Sequence, residues 1–249
     1  MKKILFIILM ATCTISISAQ KKNVIIDVSH DVDTIYTYVN PNIFNLYKDI
    51  VETQMGANLI INKDKELNEA LLSEADLLVI LSPLNRERVT TKRDLTSVER
   101  KDIVNYVQNG GRLILFMDEE HRVDMKAFGG NDIVVPFGME YGIDLPPKPN
   151  AGATTVKSEV IQNEYELSYS GSRSITGGTP ISRMNSDAAP VHGAYVKLDS
   201  NGKIAAFGET MTGLMMGGVE ASFPNGMKVV WKGKDDATFM KELMEWMLK

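Results

Sequence analysis

The stretch TSVERKDIVNYVQNGGRLILFM, residues 96–117, decides the fold. Thr96 followed three residues later by Glu99 is a capping box, the reciprocal pairing that starts a helix. Val98, Ile103, Val104 and Val107 supply an inward face, and Asn109-Gly110-Gly111 stops the helix. Residues 112–117 then run almost wholly apolar, as a strand covered on both faces must. A capped helix followed after three residues by a buried strand is half of a βαβ unit, and it implies a parallel sheet.

The same rhythm extends to both sides. Residues 23–28 read as the first strand. After Pro41, the apolar residues Ile43, Leu46, Tyr47, Ile50 and Val51 recur on one helical face, with Gly56 as the stop. Residues 58–62 predict a second strand, 66–73 a short helix, and 76–81 a third strand closed by Pro83. Another helix is expected within 129–141, ending near Gly142. From 146 to 190 helical periodicity gives way to Gly, Ser, Thr, Pro and Asn, which reads as an insertion of loops and short strands. Its composition fits a lid, a dimer surface or a specificity loop equally. Residues 194–198 and 203–207 flank an Asn201-Gly202 pair, a hairpin signal. A closing helix carries Phe239, Met240, Leu243, Met244, Met247 and Leu248 on one side. The fourteen methionines read as adaptable core filler.

The amino terminus gives an address. Lys2 and Lys3, an apolar run over residues 4–10 and an exit at Ile17-Ser18-Ala19, ending in small residues before Gln20, make residues 1–19 a signal peptide. Its apolar core is too short to span a bilayer and no second run follows, so no membrane span is expected and the protein is read as exported, to a periplasm. A rival reading makes Met10-Ala11-Thr12-Cys13 a lipoprotein box with Cys13 acylated. Residues 20–249 then form a single α/β domain with its insertion at about 146–190. Loss of residues 1–19 removes two lysines and no acids, leaving 25 basic against 32 acidic residues, a formal charge of −7. That balance excludes nucleic acid as a partner. Cys13 is the only cysteine, so the processed chain has no thiol and no intrachain disulfide.

Four segments carry a resemblance: Val28-Ser29-His30-Asp31, Ala75-Asp76-Leu77-Leu78-Val79-Ile80, Tyr106-Val107-Gln108-Asn109-Gly110-Gly111-Arg112-Leu113-Ile114-Leu115 and Phe137-Gly138-Met139-Glu140-Tyr141-Gly142-Ile143. In this order they resemble a class I glutamine-amidotransferase-like domain. The likeness is to the non-catalytic branch seen in intraflagellar-transport and gliding-motility proteins, and to domains related to trehalose-utilisation proteins. It covers residues 23–145 and, more weakly, 191–215. The resemblance implies a flavodoxin-like, doubly wound, mostly parallel sheet with its site at the carboxyl ends of the strands. Catalytic members place a cysteine in a glycine-flanked elbow after a strand, where this chain has Asp118-Glu119-Glu120-His121. The late His-x-Glu pair is replaced by Gly208-Glu209-Thr210. A carboxylate cannot stand in for the thiolate, so glutaminase activity is not expected.

Polar residues nevertheless follow the strands. Ser29, His30, Asp31 and Asp33 come after the first: the imidazole could serve as base or metal ligand with a carboxylate orienting it, or these residues cap turns. Asp118, Glu119, Glu120 and His121 follow the fourth, and with His30 they could hold a divalent cation, or they are a solvated helix start. Ser82, after the third strand, lacks the glycines of a nucleophile elbow. Glu209 and Thr210 could touch a ligand or cap their loop, while His192 reads as structural. Gly177-Gly178 and Gly217-Gly218 read as turns. Two functions remain open. One is a binding module for a small polar molecule, such as a carbohydrate, or for a protein partner, with no cofactor. The other is a hydrolase or lyase on a carbohydrate-like substrate, metal-dependent or not, with His30 as base, Asp118 or Glu119 orienting it or binding metal, and Glu209 as acid. Oligomeric state is open on sequence grounds.

Overall fold

A computed structural model of the chain describes residues 20–30, 40–82, 93–120, 122–145, 152–168, 171–222, 226 and 228–249. Residues 1–19, with Cys13, and also Asp31, Asp33 and His121 lie outside the described residues. The strands are β1 Asn23–Asp27, β2 Asn58–Asn62, β3 Leu77–Ile80, β4 Arg112–Phe116, β5 Met139–Leu145, β6 Ala153–Thr155, β7 Glu166–Leu167, β8 Ser172–Gly177, β9 Thr179–Met184, β10 Val191–Lys197, β11 Lys203–Phe207, β12 Val219–Ser222 and β13 Lys228–Trp231. The α-helices are α1 Ile43–Lys48, α2 Glu69–Leu72, α3 Ser97–Gln108, α4 Met125–Phe128, α5 Gly130–Val134, α6 Met211–Leu214 and α7 Asp236–Leu248.

Nine strands form one sheet in the order β2-β1-β3-β4-β11-β10-β9-β6-β7. The first five are mutually parallel in the flavodoxin-like order, and the last four alternate in direction. Three strands of the 146–190 region, β6, β7 and β9, extend the sheet, whereas β8 pairs with β5 in a separate ribbon. The alternation of side chains explains the layers. Val24, Ile26, Ile114 and Phe116 face one side, against α1 and α7, while Ile25, Leu113 and Leu115 face the other, against α2 to α5. The hairpin β10–β11 closes as its Asn-Gly pair implies, with Asn201 at φ +67° and Leu198 N–H bonded to Gly202 O at 2.8 Å.

Three expectations change. Val98 is 63% exposed, and Glu99, at 2%, takes the inward place. The reason is spacing: Ile103 and Val107 set the buried face, four residues apart, and Glu99 continues that series while Val98 falls off it. The helix expected over 129–141 is α5 plus a 3₁₀ turn, Val135–Phe137, because Gly138 turns left-handed at φ +75° and the following residues enter β5. The short helix starts only at Glu69, where the Asn68 side chain accepts from Leu71 N–H and sets the cap.

Candidate functional site

In a sheet ordered 2-1-3-4-5 the crevice opens where strand order reverses, at the carboxyl ends of β1 and β3. Asp27 ends β1, fully buried, in register with Asn62 at the end of β2. Asn62 Nδ2 donates to Asp27 Oδ1 at 2.6 Å, and Ser29 Oγ donates to the same oxygen at 2.8 Å. The other oxygen, Oδ2, lies 2.7 Å from His30 Nδ1. A carboxylate can only accept, so Nδ1 carries a hydrogen toward Asp27, and Nε2 lies on the Glu99 side of the ring. Nε2 is buried without a hydrogen-bond partner, 3.4 Å from Glu99 Oε1. The ring edge packs against Phe128, centroids 5.9 Å apart.

Glu99 serves helix and site together. Its Oε2 accepts from Thr96 N–H at 2.9 Å, completing the capping box, and its Oε1 accepts from Leu67 N–H at 3.0 Å. Arg93 Nη1 adds a fork at 2.7 and 2.9 Å, and Arg93 Nη2 reaches Ser29 Oγ at 3.1 Å. Burial pushes the Glu99 carboxyl up. The backbone bonds, the guanidinium and the nearby imidazole more than offset that and hold it at about 2.

The second cluster gathers at the ends of β3, β4 and β11. Ser82 Oγ lies 2.7 Å from Thr210 Oγ1 and accepts from Asp118 N–H at 3.1 Å. Arg122 Nε approaches Asp118 Oδ1 at 3.6 Å and Glu119 Oε2 at 3.7 Å. Glu119 packs so closely on Gly171 that a Cβ there would overlap its carboxyl. Glu209, fully buried, accepts from Met211 N–H at 3.0 Å, Thr212 N–H at 3.2 Å and Thr212 Oγ1 at 3.1 Å. Its Oε1 meets His192 Nε2 at 3.3 Å, and His192 Nδ1 meets Ser182 Oγ at 2.8 Å. Burial raises the Glu209 carboxyl, and the nearby Asp118 carboxylate raises it further against the pull of His192. Ser182, His192 and Glu209 are each fully enclosed.

Ser82, Thr210, Asp118 and Glu209 thus come together, with Glu119 at their margin. Ser29 and His30 belong to the first cluster, where the carboxylate on His30 Nδ1 is Asp27 rather than Asp118 or Glu119. Asp31 and His121 lie outside the described residues. Among the described residues no group of three or more His, Cys, Asp or Glu side chains is placed to hold a metal ion. Sequence reasoning missed Asp27, Asn62, Arg93 and Ser182. An acid closing an otherwise apolar strand was a signal for Asp27, whereas nothing local marked Arg93.

Two of the clefts among the described residues bear on this framework. One, of about 850 Å³, is lined by Glu120, Lys126, Asp144 and Arg173 and opens between α3, α4, α5 and the β5–β8 ribbon, past the carboxyl end of β4. Its buried Arg173 donates from Nε to Asp118 O at 2.6 Å and from Nη2 to Glu120 at 2.7 Å, linking the cleft to the second cluster. The other, of about 440 Å³, lies by Tyr106 and Arg112 at the opposite end, where β3 and β4 begin. The carboxyl-end cleft is the better candidate because ligands of open α/β sheets bind outside the strands' carboxyl ends.

The fold is shared with several solved structures. It is similar to the mmIFT52 N-terminal domain, with 11% identity and a TM-score of 0.61 over 91% of this chain and 97% of that one. It is also similar to a putative ThuA-like protein from Bacteroides uniformis, with 14% identity and a TM-score of 0.54 over 91% of each chain. A β-galactosidase from Rahnella sp. R3 shares it at 13% identity and a TM-score of 0.53, over 91% of this chain but only 30% of the galactosidase. The first two are the kinds of protein that the motifs in residues 23–145 resemble, and at such identities the likeness is one of fold. No family model and no curated protein sequence matches the chain. No described helix is long and apolar enough to cross a membrane.

Proposed function

We propose that this chain is an exported amidotransferase-like binding module that takes a small polar ligand, of carbohydrate character, at the carboxyl ends of its parallel strands, without glutaminase chemistry. The observation that carries this reading is what occupies the nucleophile's place after β4. Asp118 stands there with its N–H bonded to Ser82 Oγ, and the Glu209 carboxylate is tied to the N-terminus of α6. Groups fixed in this way hold a surface in shape. The cleft beside them offers alternating acids and bases, Glu120, Lys126, Asp144 and Arg173, suited to hydroxyl-rich or zwitterionic molecules.

A second reading, a hydrolase or lyase, draws on one feature: His30 Nε2 is buried and lacks a hydrogen-bond partner, with Asp27 fixing the ring as an orienting carboxylate fixes a general base. A thermal-shift screen with mono- and oligosaccharides, and with divalent metals against EDTA controls, tests both. Ligand that binds only the native state raises Tm by mass action. A saccharide-dependent rise lost in Glu120→Gln but kept in His30→Ala supports the module. A rise that requires His30, with turnover of the saccharide, supports the enzyme. No rise with any saccharide sinks both and moves the reading to a protein-binding module. Export is tested separately by the mass of the protein recovered from the periplasm. A chain beginning at Gln20 supports it, an acyl mass on Cys13 selects the anchored form, and a retained Met1 overturns it.

A further inference from the structure

β2 is an edge of the nine-stranded sheet, and among the described residues no strand pairs with its outer side. Asn58 N–H bonds to Lys22 O and Asn62 O accepts from Val28 N–H, so residues 58, 60 and 62 turn their main chain toward β1. Leu59 and Ile61 therefore turn theirs outward, and among the described residues no group bonds to them. Natural sheets blunt such edges with charges, proline, bulges or a covering segment. β2 reads Asn58-Leu59-Ile60-Ile61-Asn62, with no charge and no proline, and its register against β1 is unbroken.

Two other edges are closed. At the far end of the sheet β7 has only two residues, and Glu166 there exchanges hydrogen bonds with Asp235, from Glu166 N–H to the Asp235 carboxylate and from Asp235 N–H to Glu166 O. In the β5–β8 ribbon, the Asn131 side chain bonds both the N–H and the C=O of Tyr141, standing in for a neighbouring strand. The β2 edge differs from both of these.

We propose that β2 pairs antiparallel with β2 of a second copy about a two-fold axis through Ile60, joining two sheets into one. The sequence is self-complementary about that point: Asn58 meets Asn62, Leu59 meets Ile61 and Ile60 meets itself, as an isologous contact requires. Leu59 and Ile61, whose main chains point outward, form the hydrogen-bonded pairs, and Ile60 falls in the close, non-hydrogen-bonded pair. Half-buried Leu59, Ile60 and Ile61 lose their remaining exposure in the joined sheet. The interface ends on Asn62, which holds Asp27, so each copy's edge lies next to the switch-point cluster.

The closing experiment uses the purified protein expressed with Cys13→Ser, so that it has no thiol whether or not residues 1–19 are removed. Paired residues at the axis stand about 4.5 Å apart between Cα atoms, within reach of a disulfide. The expected result is a dimer by sedimentation velocity, dissociated at least tenfold by Ile60→Lys, which sets two like charges opposite each other. Ile60→Cys should link covalently on mild oxidation, while Val98→Cys, on exposed α3, stays unlinked at the same concentration. Circular dichroism of each variant confirms that it folds. A monomer at all concentrations, or a dimer indifferent to Ile60→Lys with no Ile60→Cys linkage, overturns the proposal.

Discussion

Two buried histidines sit near the strand ends, each beside a carboxylate and a hydroxyl, and their surroundings differ in one respect. His192 is bonded at both nitrogens, to Ser182 at 2.8 Å and to Glu209 at 3.3 Å. His30 is bonded at Nδ1 to Asp27, while Nε2 has no hydrogen bond and stands 3.4 Å from Glu99. A buried polar group without a partner is costly, so a folded protein keeps one only where something else benefits. The first histidine is tied into the scaffold at both nitrogens, and the second keeps one nitrogen without a hydrogen bond. His192, Glu209 and Ser182 are fully enclosed, and Asp27, Ser29 and His30 are as deeply buried, so the difference between the two sets lies in hydrogen bonding and not in exposure.

The largest expected effect is on the saturated side. Glu209→Ala strips the partner from Met211 N–H, Thr212 N–H, Thr212 Oγ1 and His192 Nε2 at once, and breaking such a buried set costs about 3–5 kcal/mol. Urea denaturation measures it. Glu209→Gln keeps most acceptors and isolates the charge. Because burial raises the Glu209 carboxyl, its contribution to stability is fully present below the ordinary glutamate value of 4.5 and is lost as pH rises through the raised one. The Gln variant should lack this loss. An identical pH profile for wild type and Glu209→Gln would break the assignment.

Glu99 has the opposite sign. Held at about 2, its carboxylate contributes stability above the ordinary 4.5, and that contribution disappears as pH falls from about 4.5 toward about 2. Glu99→Gln should therefore unfold with a flatter acid limb. At pH 7 it should lose roughly 1–3 kcal/mol, since charge-assisted bonds from Arg93, Thr96 and Leu67 are each weakened. Urea midpoints at pH 3, 5 and 7 decide the matter.

Much of this fold was legible in residues 96–117 because period and punctuation are local properties. The capping box, the glycine stop and the buried strand follow from neighbours in sequence, and so does the closing helix. The antiparallel extension was not legible, since β6 and β7 have only three and two residues and β6 meets β9 across the chain, Ala153 against Met184. The site divides in the same way. His30, Ser82, Asp118 and Glu209 were visible because each follows a strand. Which of them would meet was not, because Asp27 pairs with Asn62 across 35 positions, and Arg93 reaches Ser29 across 64. Glu99 was read as a cap, and the structure adds a second task to it.

The smallest expected effect on stability carries the sharpest test of the comparison. His30→Ala removes one bond from Asp27, but Ser29 Oγ and Asn62 Nδ2 still donate to that carboxylate, so the loss should stay near the value of a single hydrogen bond with some lost packing on Phe128, roughly 1–2 kcal/mol. His192→Ala leaves Glu209 without its imidazole in a site closed to water and should cost more. If the two variants lose equal stability, the contrast between them fails and the His30 pocket is scaffold as well. If His30→Ala melts close to wild type and Asp27→Asn behaves like it, then the Asp27–His30 pair is held in place by its neighbours instead of holding them. That makes Nε2, which has no hydrogen bond, the atom of the pair to test for ligand contact.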